Sequence, residues 1–157
     1  MAHFHAWFKQ EFNSVYEVSK SVPPIHLADG SFNARGMSLR QYLRQAKSLS
    51  THLTFHHSLE ERHIFPVLAE KMPQFDHAAD GEHIKSHKGI HDGLDELDAL
   101  ILKWTENPSE YSPVEMRECL DGFREVLFRH LDEEVNDLKG ENMKKYWTLE
   151  EMERIPM

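Results

Sequence analysis

Apolar residues along this chain return every three or four positions, the spacing that lines them up on one side of an α-helix. In the first stretch Phe8, Phe12 and Val15 follow that spacing, which predicts a helix from about Ala2 to about Lys20, ended by Pro23-Pro24. Ser21 to Gly36 then reads as a long loop. Ser38 followed by Gln41 has the form of a capping box and opens a second helix with a stripe of Leu39, Leu43, Ala46, Leu49 and Leu53. Pro66 should kink or interrupt that helix, with residues up to about Met72 carrying on beyond it. A third helix is expected from near Asp80, turning Ile84, Leu94 and Ile101 inward. Ser112-Pro113-Val114-Glu115 combines a cap, a proline at the first helical position and a reciprocal glutamate, and Met116, Leu120, Phe123 and Leu127 follow it turn by turn. Gly140 is expected to end this fourth helix, and Thr148 with Glu151 to open a short C-terminal one. Alternating β-branched runs are missing, and so are asparagine-glycine hairpin turns. The pattern predicts an all-α fold: an antiparallel up-and-down four-helix bundle with a short C-terminal helix, residues 1–157 forming one domain.

Three of the four stripes change character part-way. After several leucine-like turns they reach His56 and Glu60, His87 and His91, and His130 and Glu134. Each pair is four residues apart, so its two side chains share one helix face with Cβ atoms roughly 6 Å apart. A carboxylate or imidazole buried without partners costs several kcal/mol. A metal pair enclosed by the helices would satisfy all of them together. Mixed imidazole and carboxylate donors suit iron, manganese or zinc, whereas calcium wants an all-oxygen site and copper(I) wants sulfur. The His-Glu-x-x-His string of zinc proteases does not occur, and Glu60 with His63 gives only one of the two Glu-x-x-His copies that a ferritin-like site needs.

Composition narrows the partners. The chain has 157 residues, with 39% hydrophobic and 29% charged, which suits one soluble domain with its own core. A formal net charge of -9 and the lack of clustered Lys and Arg argue against nucleic acid. The single cysteine, Cys119, excludes an internal disulfide framework and reads as a small apolar helix residue. No basic region followed by an apolar run opens the chain, and no segment approaches the roughly 20 apolar residues of a membrane span. The expectation is a cytoplasmic protein without a membrane partner.

Taken in order, His56-His57-x-x-Glu60-Glu61 with Pro66 beyond it, His87-x-x-x-His91-Asp92-Gly93-Leu94 and His130-Leu131-x-x-Glu134 look like one family's motifs. The chain resembles the hemerythrin-like family, the HHE cation-binding domain, and especially its fungal-type members. The resemblance implies two iron ions joined by an oxo or hydroxo bridge, with manganese or zinc ranked after iron. It also implies that His87, His91 and His130 hold one ion, that His5 and His56 hold the other, and that Glu60 and Glu134 bridge them. His5 is taken from its spacing to Asn13 and Tyr16, leaving His3 and His26 as alternatives. Such a set fills about eleven of about twelve octahedral positions, and the open one would take dioxygen or a related diatomic in a carrier or sensor. Two other functions remain open: an enzyme that activates oxygen or peroxide to oxidise a small organic substrate, roofed by Val22 to Gly36, and iron storage or sensing. His57, Glu61 and His83 read as surface residues, and His26 as solvated. Phe8, Phe12, Phe55 and Phe65 read as core, as do Trp7, Trp104 and Trp147.

Overall fold

A computed structural model describes the backbone of residues 1–20 and 37–157, with side chains of 1–17 and from 37 onward. The expected loop with Pro23, Pro24 and His26, and the roof from Val22 to Gly36, lie outside the described residues. Four long helices form the bundle: α1 (Ala2–Lys20), α2 (Leu39–Leu59), α4 (Glu82–Glu106) and α5 (Pro113–Asp137). Between α2 and α4 run a π-helical turn (Glu60–Ile64) and the short α3 (Phe65–Leu68), and after α5 come α6 (Gly140–Met143) and α7 (Leu149–Met152). Helix α1 packs on α2 and α5, and α4 on α2 and α5, so the four close into a square. The start of α1 lies beside the end of α5, where His5 meets the Leu131 carbonyl. The start of α4 likewise meets the end of α5 through His87 and His130, so consecutive long helices run antiparallel. No extended strand occurs among the described residues.

The caps form where the sequence puts them. Ser38 Oγ accepts from the Gln41 backbone N–H at 3.2 Å and the Gln41 side chain accepts from the Ser38 N–H at 2.9 Å, so both halves of that box are made. Thr148 and Glu151 make the same reciprocal pair. At Ser112 only one half forms: its hydroxyl accepts from the Glu115 N–H, while the Glu115 carboxylate lies 3.8 Å from Lys103 Nζ across the neighbouring helix. Gly140 does not end the fourth helix. Helix α5 stops earlier, at Asp137, and Gly140 instead begins α6.

Pro66 interrupts α-helical geometry as expected, and the helix beyond it runs to Leu68 rather than about Met72. A proline has no N–H to donate, and its ring clashes with the carbonyl four residues back. The chain resolves this by widening one turn, so that the Phe65 N–H reaches the Glu60 carbonyl five residues away and the helical path continues.

Two apolar clusters result. The main one fills the bundle, with Phe12, Val15, Ala46, Leu49, Leu53, Leu120 and Leu127 excluded from solvent. Each such leucine contributes about 1.5–3 kcal/mol relative to exposure. The second seals one end of the bundle and joins Phe65, Leu68, Met72 and Phe75 to Met143, Trp147 and Ile155 from the C-terminal segment. Trp104 and Cys119 are core, as expected. Phe55 and Trp7 are not: they are 65% and 43% exposed, because they lie on the outer flanks of α2 and α1.

Helix α5 approaches α4 closely at Gly93, where a Cβ would sit 2.4 Å from Phe123 Cδ1. Gly122, on the exposed side of α5, has open space around its Cα. Gly93→Ala should therefore destabilise by about 1–3 kcal/mol through overpacking, while Gly122→Ala should stabilise by up to about 1 kcal/mol through helix propensity. Thermal melts of the two variants should move in opposite directions.

Candidate metal centre

Between the main core and the sealed end, all four long helices turn polar side chains inward at one level. His57, Glu60, His83, His87, His130 and Glu134 are buried there, together with His5 from the start of α1. His57, Glu60, His87 and His130 bring one ligand atom each to within 4.8 Å of one another, and so do His5, His56 and Glu60. Glu60 belongs to both groups. Its Oε1 lies 2.7 Å from His56 Nε2 and its Oε2 lies 3.3 Å from His87 Nε2, so one carboxylate reaches into both halves. Glu134 Oε2 lies 3.5 Å from His5 Nε2 and 3.4 Å from His130 Nε2, which repeats that arrangement from α5.

Hydrogen bonds behind the rings fix their tautomers. His5 Nδ1–H donates to the Leu131 carbonyl at 2.9 Å, leaving Nε2 to face inward as an electron-pair donor. His87 Nδ1–H donates to Glu61 Oε1 at 2.8 Å with the same result. His83 Nε2–H donates to Asp137 Oδ2 at 2.9 Å, so His83 Nδ1 accepts from His130 Nδ1–H at 3.4 Å. His87 Nε2 and His130 Nε2 thereby face each other at 3.0 Å, a gap that only a proton or a cation can close. Two electron pairs at that distance repel unless a cation or a proton lies between them. Metal-binding histidines are held by outer partners in this way, and the partners set both ring orientation and tautomer.

The charges give the same picture. Burial raises the Glu60 carboxyl, but its contacts with His5, His56 and His87 outweigh this and hold it far below the usual carboxylate range. Burial, reinforced by the Glu60 charge, pushes Glu134 well above that range. Burial depresses His57 and His130 strongly, and the neighbouring His87 depresses both further. Burial opposes charge on His87 too, yet Glu60 and Glu61 overcome it and raise that ring. Without a cation the two inward carboxylates cannot both be ionised cheaply. No well-aligned hydrogen bond reaches either oxygen of Glu134, or of Glu60 for all its close histidines. A bound metal cation would supply the missing positive charge, and the donor set of imidazole nitrogen and carboxylate oxygen fits iron, manganese or zinc.

The centre gathers six of the seven residues expected from the sequence: His5, His56, Glu60, His87, His130 and Glu134. His91 is half-buried and enters neither group of convergent ligand atoms. His57 and His83 were expected at the surface and are buried instead, His57 in the middle of the centre and His83 behind His130. The buried line of α2 runs through Ala46, Leu49, Leu53, His57 and Glu60, and the spacing of four from Leu53 to His57 carried that signal. Glu61 is exposed at its rim but bonds His87. Phe65 and Phe75, from the end seal, stack on His87 and His83 at centroid distances of 5.0 and 4.3 Å.

Comparison with known proteins agrees with this geometry. The family model of the hemerythrin HHE cation-binding domain matches residues 1–141. The chain belongs to that family. It is also 28% identical over 156 residues to the dimeric xanthone biosynthesis cluster protein R11 of Cryptosporiopsis sp. (strain 8999). The match covers 94% of this chain but 53% of that protein, so the chain spans about half the length of the curated relative. No solved structure matches it significantly. As a hemerythrin HHE domain the chain binds metal cations, and its buried His/Glu groups are able to hold one. No helix among the described residues is long and apolar enough to cross a membrane.

The outer partners yield a test within this hemerythrin domain. Glu61→Ala and Asp137→Ala should each weaken metal affinity about 10–100-fold by releasing His87 or the His83–His130 pair. Glu133→Ala, at an exposed residue paired with Arg129, should leave affinity unchanged. Competition with a chromophoric chelator measures all three.

Proposed function

We propose that the protein is a non-haem di-iron protein that binds dioxygen or a related diatomic as a carrier or sensor. The observation that carries the reading is the convergence of His87 Nε2 and His130 Nε2 at 3.0 Å beside a Glu60 carboxylate divided between two donor groups. His5 and His56 would hold one ion, His87 and His130 would hold the other, and Glu60 and Glu134 would span the two. A bound iron pair supplies the electrons that reversible capture of a diatomic requires. The chain's own residues do the rest. Glu61 and the Leu131 carbonyl hold the rings of His87 and His5 with Nε2 turned inward, and Asp137 holds His130 through His83. Phe8, packed on His56 at 4.9 Å between centroids, and Phe65 and Phe75 on the opposite side, exclude water from the centre.

A second reading, oxidation of a small organic molecule, draws on two observations. The Cryptosporiopsis relative takes its name from a xanthone biosynthesis cluster. In addition, His56 is the part of the centre nearest solvent, 13% exposed at its side chain, and the exposed ring of Phe4 stacks on it at 6.4 Å between centroids. Oxygen uptake that accelerates when a xanthone is added would favour this reading over the carrier.

Elemental analysis of protein purified without added metal, with optical spectra under argon and then air, tests the main proposal. Two irons per chain and a reversible absorption change in air are expected. One zinc and no spectral change would overturn it. Glu60→Ala and His130→Ala should lose iron and much stability, whereas His63→Ala and His77→Ala, at exposed positions, should lose neither.

A further inference from the structure

We infer that His57, rather than His91, completes the donor set around His87 and His130. The inference rests on the reading of the centre as a metal site and names the residue that reading leaves open. His57 is wholly excluded from solvent, and neither of its ring nitrogens has a hydrogen-bond partner. A neutral imidazole carries one donor and one acceptor, and leaving such groups buried and bare costs about 1–3 kcal/mol each. No protein group within reach relieves that cost, but an ion held by its neighbours does. One nitrogen of His57 already lies within 4.8 Å of the ligand atoms of Glu60, His87 and His130.

Helix phase explains why His57 takes this place and His91 does not. At about 100° per residue, the buried line of α4 passes from His87 to Ile90, Leu94 and Leu97, three and then four and three residues on. His91 falls to one side of that line, where it is half-buried. In α2 the corresponding line arrives at His57 one turn after Leu53 and at Glu60 three residues later. Packing then fixes the ring: it stacks on His87 with centroids 3.8 Å apart and planes 17° from parallel, and it meets His130 edge-on at 5.4 Å. The His91 ring meets it in a T-shaped contact at 5.4 Å and enters neither group of convergent ligand atoms.

Counting metal in three purified proteins tests the assignment. His57→Phe keeps a ring stacked on His87 and removes both nitrogens; it should fold, by circular dichroism, yet hold about one ion per chain where the unsubstituted chain holds about two. His91→Ala should retain about two. A full complement in His57→Phe, or a loss in His91→Ala, would overturn the inference. Should His57→Phe fail to fold, cobalt(II) loading decides: His57→Glu should shift the visible d–d bands while His91→Glu leaves them in place, and the reverse pattern overturns it. An unsubstituted chain that holds no metal would defeat the proposed function itself, a failure visible before any substitution is made.

Discussion

Imidazole nitrogens that converge in a space closed to water set the terms for the rest of this molecule. Between His87 and His130 the separation is 3.0 Å, and neither ring can turn away. Each is held from behind, by Glu61 and by the His83–Asp137 pair, and each is wedged against another ring. Such an arrangement calls for positive charge between the rings, which a proton supplies in the bare protein and a metal ion would supply in its place. The cost of folding the polar centre is therefore linked to metal binding, so that part of the binding free energy is folding free energy.

The surroundings are arranged to keep that linkage strong. On one side the leucine and phenylalanine core of the bundle supplies rigidity. On the other, Phe65 and Phe75 with Met143, Trp147 and Ile155 form a floor, which keeps the local dielectric low and electrostatic attraction to an ion high. Much of that floor comes from beyond residue 141, where the family match ends. The C-terminal segment thus contributes to the shared domain's site without belonging to its signature.

Much of this was legible in the residues themselves. The caps at Ser38, Ser112 and Thr148 fixed helix starts because a side-chain oxygen answering a backbone N–H is a local interaction, complete within four residues. The inward turns of Glu60, His87, His130 and Glu134 could be read because each continues an apolar stripe. What escaped the reading depends on contacts between distant segments. His57 and His56 are neighbours about 100° apart, and both can face a bundle whose α1 lies on one flank and α4 on the other. His83 gained its buried place from Asp137 and Phe75, neither of which sequence spacing connects to it. Phe55 and Trp7 look like core in composition, yet their helices present them outward. His91 shares the i,i+4 spacing with His87, but that spacing alone does not say which of Ile90 and His91 the neighbouring helices will cover.

The wide turn at Glu60–Ile64 has a consequence for how the two halves of the helical rod are geared together. Glu60 and Phe65 both point inward although five residues separate them, a count that a regular α-helix cannot satisfy, since it would turn Ile64 in Phe65's place. Inward carboxylate and aromatic floor thus occupy two rotational settings of one rod, offset by the turn between them. Loss or gain of a single residue there would leave both halves helical while swinging the floor out of alignment beneath His87.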